Sequence, residues 1–274
     1  MFCSSETNGS YLDERLLEWQ LPLCDTKSGM LLFYHIGRYL LLMRRVFTRP
    51  DKTRIFVRAL FEEAVNIGLG SFSIVAIIST FTGAVFTVQT AYQLTSGLFP
   101  PSVIGSIVSD NTILELAPTI TMLALAGRIG SSVSTEIGTM RVSEQIDALD
   151  VMGINSANYL ILPKILSGLF MLPLLIIIAM GLSISSGFLV GDLAGIVSPQ
   201  EFLKGARESF RPYSFFFAMV KVFTFSFVIT SIPCYEGYYT TGGALGVGRS
   251  STRAVVYSSV GIVFFDYFLA SILL

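Results

Sequence analysis

The long charge-free stretches of this chain constrain its fold more than any other feature. From Ala64 to Ser109 there is no Asp, Glu, Lys or Arg in 46 residues, and Ile165 to Gly191 is a second such run of 27. About 20 apolar residues in a helix cross the hydrocarbon core of a bilayer, and the helix satisfies its own backbone hydrogen bonds where no water can. A soluble core needs no runs of this length. Charged residues make up 14% of the 274, against about 25% in an ordinary soluble domain. The sequence is that of an all-α integral membrane protein.

The first 29 residues have a different character. They are polar and mixed in charge (Glu6, Asp13, Glu14, Arg15, Glu18, Asp25, Lys27), without the basic start and apolar stretch of a signal peptide and too acidic for a transit peptide. They are expected to be a dispensable tail, with Met30 as an alternative start of translation and a membrane domain over 30–274. Residues 30–49 are apolar but interrupted by His35, Arg38, Arg44 and Arg45, which suits a helix in the headgroup plane, ended by Pro50. A charged connector over 53–63 leads to the first span.

Five spans are expected, at about 68–93, 105–127, 160–190, 213–233 and 254–274. The first could instead be re-entrant. It is rich in Gly, Ser and Thr, and small residues let helices approach while hydroxyls bond back or across, so it should face protein or a cavity more than lipid. The second should bend at Pro118. Loops are expected at 94–103, at 192–211 and, Gly-rich, at 237–248. Lys and Arg collect before Arg58 and at Arg128, Arg141, Arg249 and Arg253, so those regions and the N-terminus are expected in the cytoplasm. The 192–211 loop fits this less cleanly, since Lys204, Arg207 and Arg211 lie on the outer side.

The formal net charge of −1 points to no particular partner, and nothing points to nucleic acid. Cys3, Cys24 and Cys234 lie far apart and imply no disulfide framework. No cofactor or metal site is read. Gly243, Gly248, Arg249 and Ser250 fit a phosphate-loop spacing with Arg in place of Lys. Such a loop needs a preceding strand, a soluble helix and that Lys, and this one joins two spans. If ATP drives this protein, another subunit hydrolyses it.

Between the second and third spans, residues 131–153 read as an amphipathic helix with Val133, Ile137, Met140, Val142, Ile146 and Leu149 on one side. Glu136, Arg141, Glu144, Asp147 and Asp150 lie on the other. The helix could rest on the membrane surface, but an acidic face suits an anionic lipid surface poorly, which favours a protein partner. It reads as a coupling helix for a cytoplasmic motor.

The residues here are specific. Ala126-Gly127-Arg128, then Glu136-Ile137-Gly138-Thr139-Met140-Arg141-Val142, Glu144-Gln145-Ile146-Asp147-Ala148-Leu149 and Met152-Gly153 resemble the signature of the MlaE/YrbE permease family. Glu115-Leu116-Ala117-Pro118 and, near the end, Gly246-Val247-Gly248, Thr252-Arg253-Ala254-Val255-Val256 and Asp266 resemble its flanking blocks. The likeness runs from about residue 32 to the end. It implies a homodimeric permease in a bacterial inner membrane, two cytoplasmic ATPase subunits, and a periplasmic MCE-domain protein that carries phospholipid between membranes. On this reading Glu136, Ile137, Gly138, Met140, Arg141, Glu144, Gln145 and Asp147 couple to the ATPase.

Three ionisable residues fall inside expected spans. A charge at mid-bilayer costs about 2.5–3.5 kcal/mol on insertion scales, so Glu115, Lys221 and Asp266 should face a cavity or a partner. One reading is a structural Glu–Lys pair that pins helices together. The other has Glu115 and Lys221 lining a lipid cavity, Lys221 drawing a headgroup phosphate, with Asp266 structural. A proton-coupled secondary transporter working through Glu115 and Asp266 is the competing function. Such transporters usually show internal repeats, and none is found here.

Overall fold

A computed structural model describes residues 26–47, 53–94 and 100–273. The expected tail falls mostly outside them, as does Pro50. Among the described residues all regular structure is helical. The chain divides into two compact units, one up to Arg44 and one from Arg45 onward. The first holds nearly all of helix α1, Thr26–Val46, which begins ahead of the expected boundary at Met30 and exposes Phe33, Tyr34, Leu40 and Leu41.

The second unit contains five helices long and apolar enough to cross a membrane. The first, α2 (Thr53–Gln93), absorbs the expected connector into one helix of 41 residues, about 62 Å at 1.5 Å per residue. That length crosses the bilayer outright, so the re-entrant alternative is set aside. The second crossing combines α3 (Ser102–Asn111), a π-helical segment (Thr112–Ile120) and α4 (Thr121–Val142). Helices α6 (Ser156–Leu193), α8 (Pro212–Tyr238) and α9 (Gly243–Leu273) supply the rest.

Three sequence expectations are corrected. The polar segment 131–153 is not a separate helix: α4 continues to Val142, and only α5 (Gln145–Val151) stands alone. The polar run looked like a surface helix, but its small and buried residues pack against α8 and α9, with Ser134, Ile137 and Gly138 all inside. The break comes at Glu144, whose φ of 60° leaves the helical basin. Second, the loop 192–211 contains α7 (Pro199–Ser209). Ser198 caps it by accepting from the Glu201 backbone N–H, and Pro199 sits at its first turn, where a missing N–H costs nothing. Third, the Gly-rich stretch is nearly all helix, since α8 runs to Tyr238 and α9 starts at Gly243.

Helix α2 lies along α6, and α4 lies between α8 and α9. The Gly, Ser and Thr of the first span make the first contact possible. A Cβ at Gly83 would collide with the Ser183 carbonyl. The Ser183 hydroxyl donates to the Ser79 carbonyl and the Ser186 hydroxyl to the Thr80 carbonyl, each at 2.8 Å. Interhelical bonds of this kind contribute about 0.6 kcal/mol each, with the close van der Waals approach adding to them.

Candidate functional site: two buried lysines

Two buried lysines each hold two carboxylates from two other helices. The first is Lys221 on α8, whose side chain is fully buried. Its Nζ donates to Glu115 Oε1 at 2.8 Å and pairs with Asp266 Oδ1 of α9 at 2.5 Å. It also lies 5.3 Å from the centre of the Phe217 ring, a favourable cation–π position.

The π segment explains a further bond. Pro118 has no N–H to give to the carbonyl four residues earlier. That carbonyl belongs to Leu114, and Lys221 Nζ donates to it at 3.3 Å. The Thr119 hydroxyl lies between the two carboxylates, 3.2 Å from Glu115 Oε2 and 3.4 Å from Asp266 Oδ1, and can donate to one at a time. Two carboxylates share one ammonium, so the cluster has formal charge −1 with all three groups ionised. The Glu115 side chain keeps 42% of its exposure while Lys221 keeps none. One carboxylate is thus presented outward from a buried counter-ion. Asp266, read as separate and structural, shares this cluster with the two residues read as the cavity.

The second lysine, Lys164 on α6, was not singled out in the sequence. Its Nζ contacts Glu63 of α2 at 2.5 Å and Glu136 of α4 at 2.8 Å. The signal was present: Glu63 and Lys164 are the last charges before the two charge-free runs. Glu136, placed by the sequence on the docking face, is engaged here. Glu115 and Glu136 lie 21 residues apart along one crossing, about 31 Å, close to the thickness of the hydrocarbon core. The two clusters therefore stand near its opposite boundaries.

Beside the second cluster, α2 and α4 leave a pocket of about 440 Å3 whose lining includes Asn66, Ser71, Arg128, Ser132, Glu63 and Glu136. Arg128 donates to the Ser71 hydroxyl at 2.7 Å. A smaller pocket of about 400 Å3 lies between the end of α8 and the start of α9, lined by Glu236, Arg249 and Arg253 among others.

The remaining residues of the expected coupling segment are dispersed. Ile137 and Gly138 are buried, Met140 is half-buried, and Gln145 and Glu144 are exposed. Arg141 pairs with Asp147 at 2.6 Å across the α4–α5 break. Ile146 is buried and anchors α5. Asp150 meets Arg45 at 3.2 Å.

The profile described as Permease MlaE matches residues 60–272. A probable ABC transporter permease protein of Rickettsia bellii is 32% identical over 246 residues, 90% of this chain and 95% of its own length. A probable ABC transporter permease protein of Synechocystis is 33% identical over 243 residues, 89% of this chain and 92% of its own. The Arabidopsis thaliana protein named trigalactosyldiacylglycerol 1, chloroplastic, is 36% identical over 227 residues, 83% of this chain and 65% of its own length. Every described residue of both lysine clusters and of the α2–α4 pocket lies within the matched segment.

Proposed function

Because the chain belongs to the MlaE permease family and is a multi-pass membrane transport permease, we propose that it is the membrane-spanning subunit of an ATP-binding-cassette transporter of phospholipid. Two copies form the pathway, a separate cytoplasmic ATPase subunit hydrolyses ATP, and lipid passes between the inner membrane and a periplasmic MCE-domain partner. The N-terminus and α5 face the cytoplasm. Relatives named as ABC transporter permeases support the ATPase, and the Arabidopsis relative, which carries a glycolipid's name, supports lipid as cargo.

The observation that carries the reading is the Lys221 cluster. A buried ammonium shared by two carboxylates, one of them partly exposed, is a site where a headgroup phosphate can compete for the cation. Glu115 then acts as the displaceable partner, Asp266 keeps Lys221 oriented, and Lys221 draws the phosphate. The π segment gives the helix slack at this point, since such segments lack the regular i to i+4 ladder and concentrate at functional sites. Helix α5 and its approach (Glu136 to Asp147) transmit the ATPase stroke to α4 and α6, which flank it directly.

Affinity purification of the tagged chain from its own membrane tests the reading. The expected result is co-purification with an ATP-hydrolysing subunit, two permeases per complex, and hydrolysis stimulated by phospholipid. Transport in vesicles holding this chain alone, driven by a proton gradient and abolished by Glu115→Gln or Asp266→Asn, would instead establish the secondary transporter.

A further inference from the structure

The pocket between α2 and α4 has chemistry that neither the Lys221 cluster nor the coupling segment uses. Its depth follows from the sequence. Glu63 precedes the charge-free stretch of α2, Lys164 precedes that of α6, and Arg128 is the first charge after Glu115 on the second crossing. All three therefore mark one polar boundary of the membrane, at the level where lipid headgroups lie. At this end α2 follows α6 while α4 follows α8 and α9, and the divergence leaves the opening.

The pocket is dipolar. At one end the Arg128 guanidinium bonds the Ser71 hydroxyl, and among the described residues no carboxylate pairs with it. A guanidinium has five N–H donors in a planar fork, suited to a phosphate. Ser132 and Asn66 line the same wall. At the other end Glu63 and Glu136 share the single ammonium of Lys164, so that end holds one excess negative charge. The Glu136 side chain keeps 44% of its exposure and lines the pocket. Outside it, Leu69 and Val65 present apolar surface on α2 at 72% and 50% exposure.

A cation that can take a phosphate, an excess carboxylate across the same pocket, and apolar helix surface beside it match one class of molecule. We infer that this pocket receives the headgroup of a zwitterionic, amine-bearing phospholipid. The phosphate sits on Arg128 and Ser71, the ammonium faces Glu136 and Glu63, and the acyl chains lie along α2 past Leu69. The site is a loading position at the membrane boundary, about 31 Å along the second crossing from Glu115. This inference rests on the lipid-transport reading and adds the headgroup class and a second position to it.

The test uses the purified full-length complex, delipidated in detergent and offered equal amounts of phosphatidylethanolamine and phosphatidylglycerol, with retained lipid measured by mass spectrometry. The native complex should favour phosphatidylethanolamine. Arg128→Gln should lower retention of both lipids by about tenfold, the effect of one lost charge-assisted contact. Glu136→Gln leaves Lys164 paired with Glu63 and removes the excess charge, so the ratio of the two lipids should fall toward one while total retention holds. Ser132→Phe fills the pocket without touching an ion pair and should exclude both lipids, which covers the case in which the Arg128 variant does not fold. Native retention and preference in all three variants would overturn the site while leaving lipid transport standing. A native complex that retains no phospholipid and shows no lipid-stimulated hydrolysis would overturn the transport reading itself. Loss of both lipids in Glu136→Gln, with unfolding temperature unchanged, would overturn the amine end.

Discussion

Lys221 shows how far single residues could be read. A lysine in an apolar span announces a partner from its cost alone, and Glu115 was the obvious one. Asp266 was read as separate because it lies 45 residues further along, and no sequence pattern reports that α9 folds back beside α8. The Leu114 carbonyl was legible in principle, since Pro118 leaves the acceptor four residues earlier without its donor; which side chain would fill it was not. Lys221→Met leaves Glu115 and Asp266 facing each other with no cation. Removing one partner from a buried ion pair costs about 3–5 kcal/mol, so the unfolding temperature in detergent should drop markedly. Adding Asp266→Asn removes the surplus charge and should restore most of that stability. If Lys221 also draws the headgroup, the restored double variant still shows no lipid-stimulated ATP hydrolysis. Recovery of the lipid response along with the stability would leave Lys221 a structural counter-ion only.

At the scale of elements, length and type were legible and boundaries were not. The polar residues of 131–142 were taken for a solvent-facing helix because polarity in a membrane protein usually means surface. Here small and hydroxylated residues serve close packing instead, and one helix runs through. Helix α7 was missed although Ser198, Pro199 and Glu201 carry a capping signal; its mixed charge resembled a loop. Its docking depends on close approach, since a Cβ at Gly205 would strike the Ser102 carbonyl on α3. Gly205→Val should therefore release α7, seen as faster amide exchange over 199–209 with the five spans unchanged. The coupling element narrows in the same way. Glu144 and Asp147 are exposed at α5, whereas Glu136 is tied to Lys164. Reversing Glu144 and Asp147 to Lys should release the ATPase from a stable permease. Glu136→Lys should instead lower the stability of the permease itself, because it sets a second cation against Lys164. Equal ATPase yield with both acidic residues of α5 reversed would move the docking surface elsewhere.

At the scale of the whole molecule, the two charge-free runs carried most of the architecture, and the number of crossings follows from them with little else. What they could not give is how the crossings pair, because that is decided by where small residues let backbones meet, as at Gly83. The count does make a prediction about sides. Helix α5 follows two crossings and α7 follows three, so they must lie on opposite faces of the membrane if α6 crosses. The basic residues near the N-terminus and at Arg249 and Arg253 put α5 in the cytoplasm. The test is a membrane-impermeant maleimide on single-cysteine variants. Cys3 and Cys24 are replaced by Ser, and Cys234 is buried and should stay silent. In intact cells, Lys204→Cys on α7 should be labelled and Glu144→Cys should not, while inverted vesicles should give the reverse. Both positions are exposed in the fold, so silence reports the membrane and not burial. Reversal of both results would keep the five crossings and invert the orientation. Labelling of both from one face would mean that α6, 38 residues long with its central 27 uncharged, fails to cross. Such an outcome would contradict the bilayer argument from which the whole architecture was built.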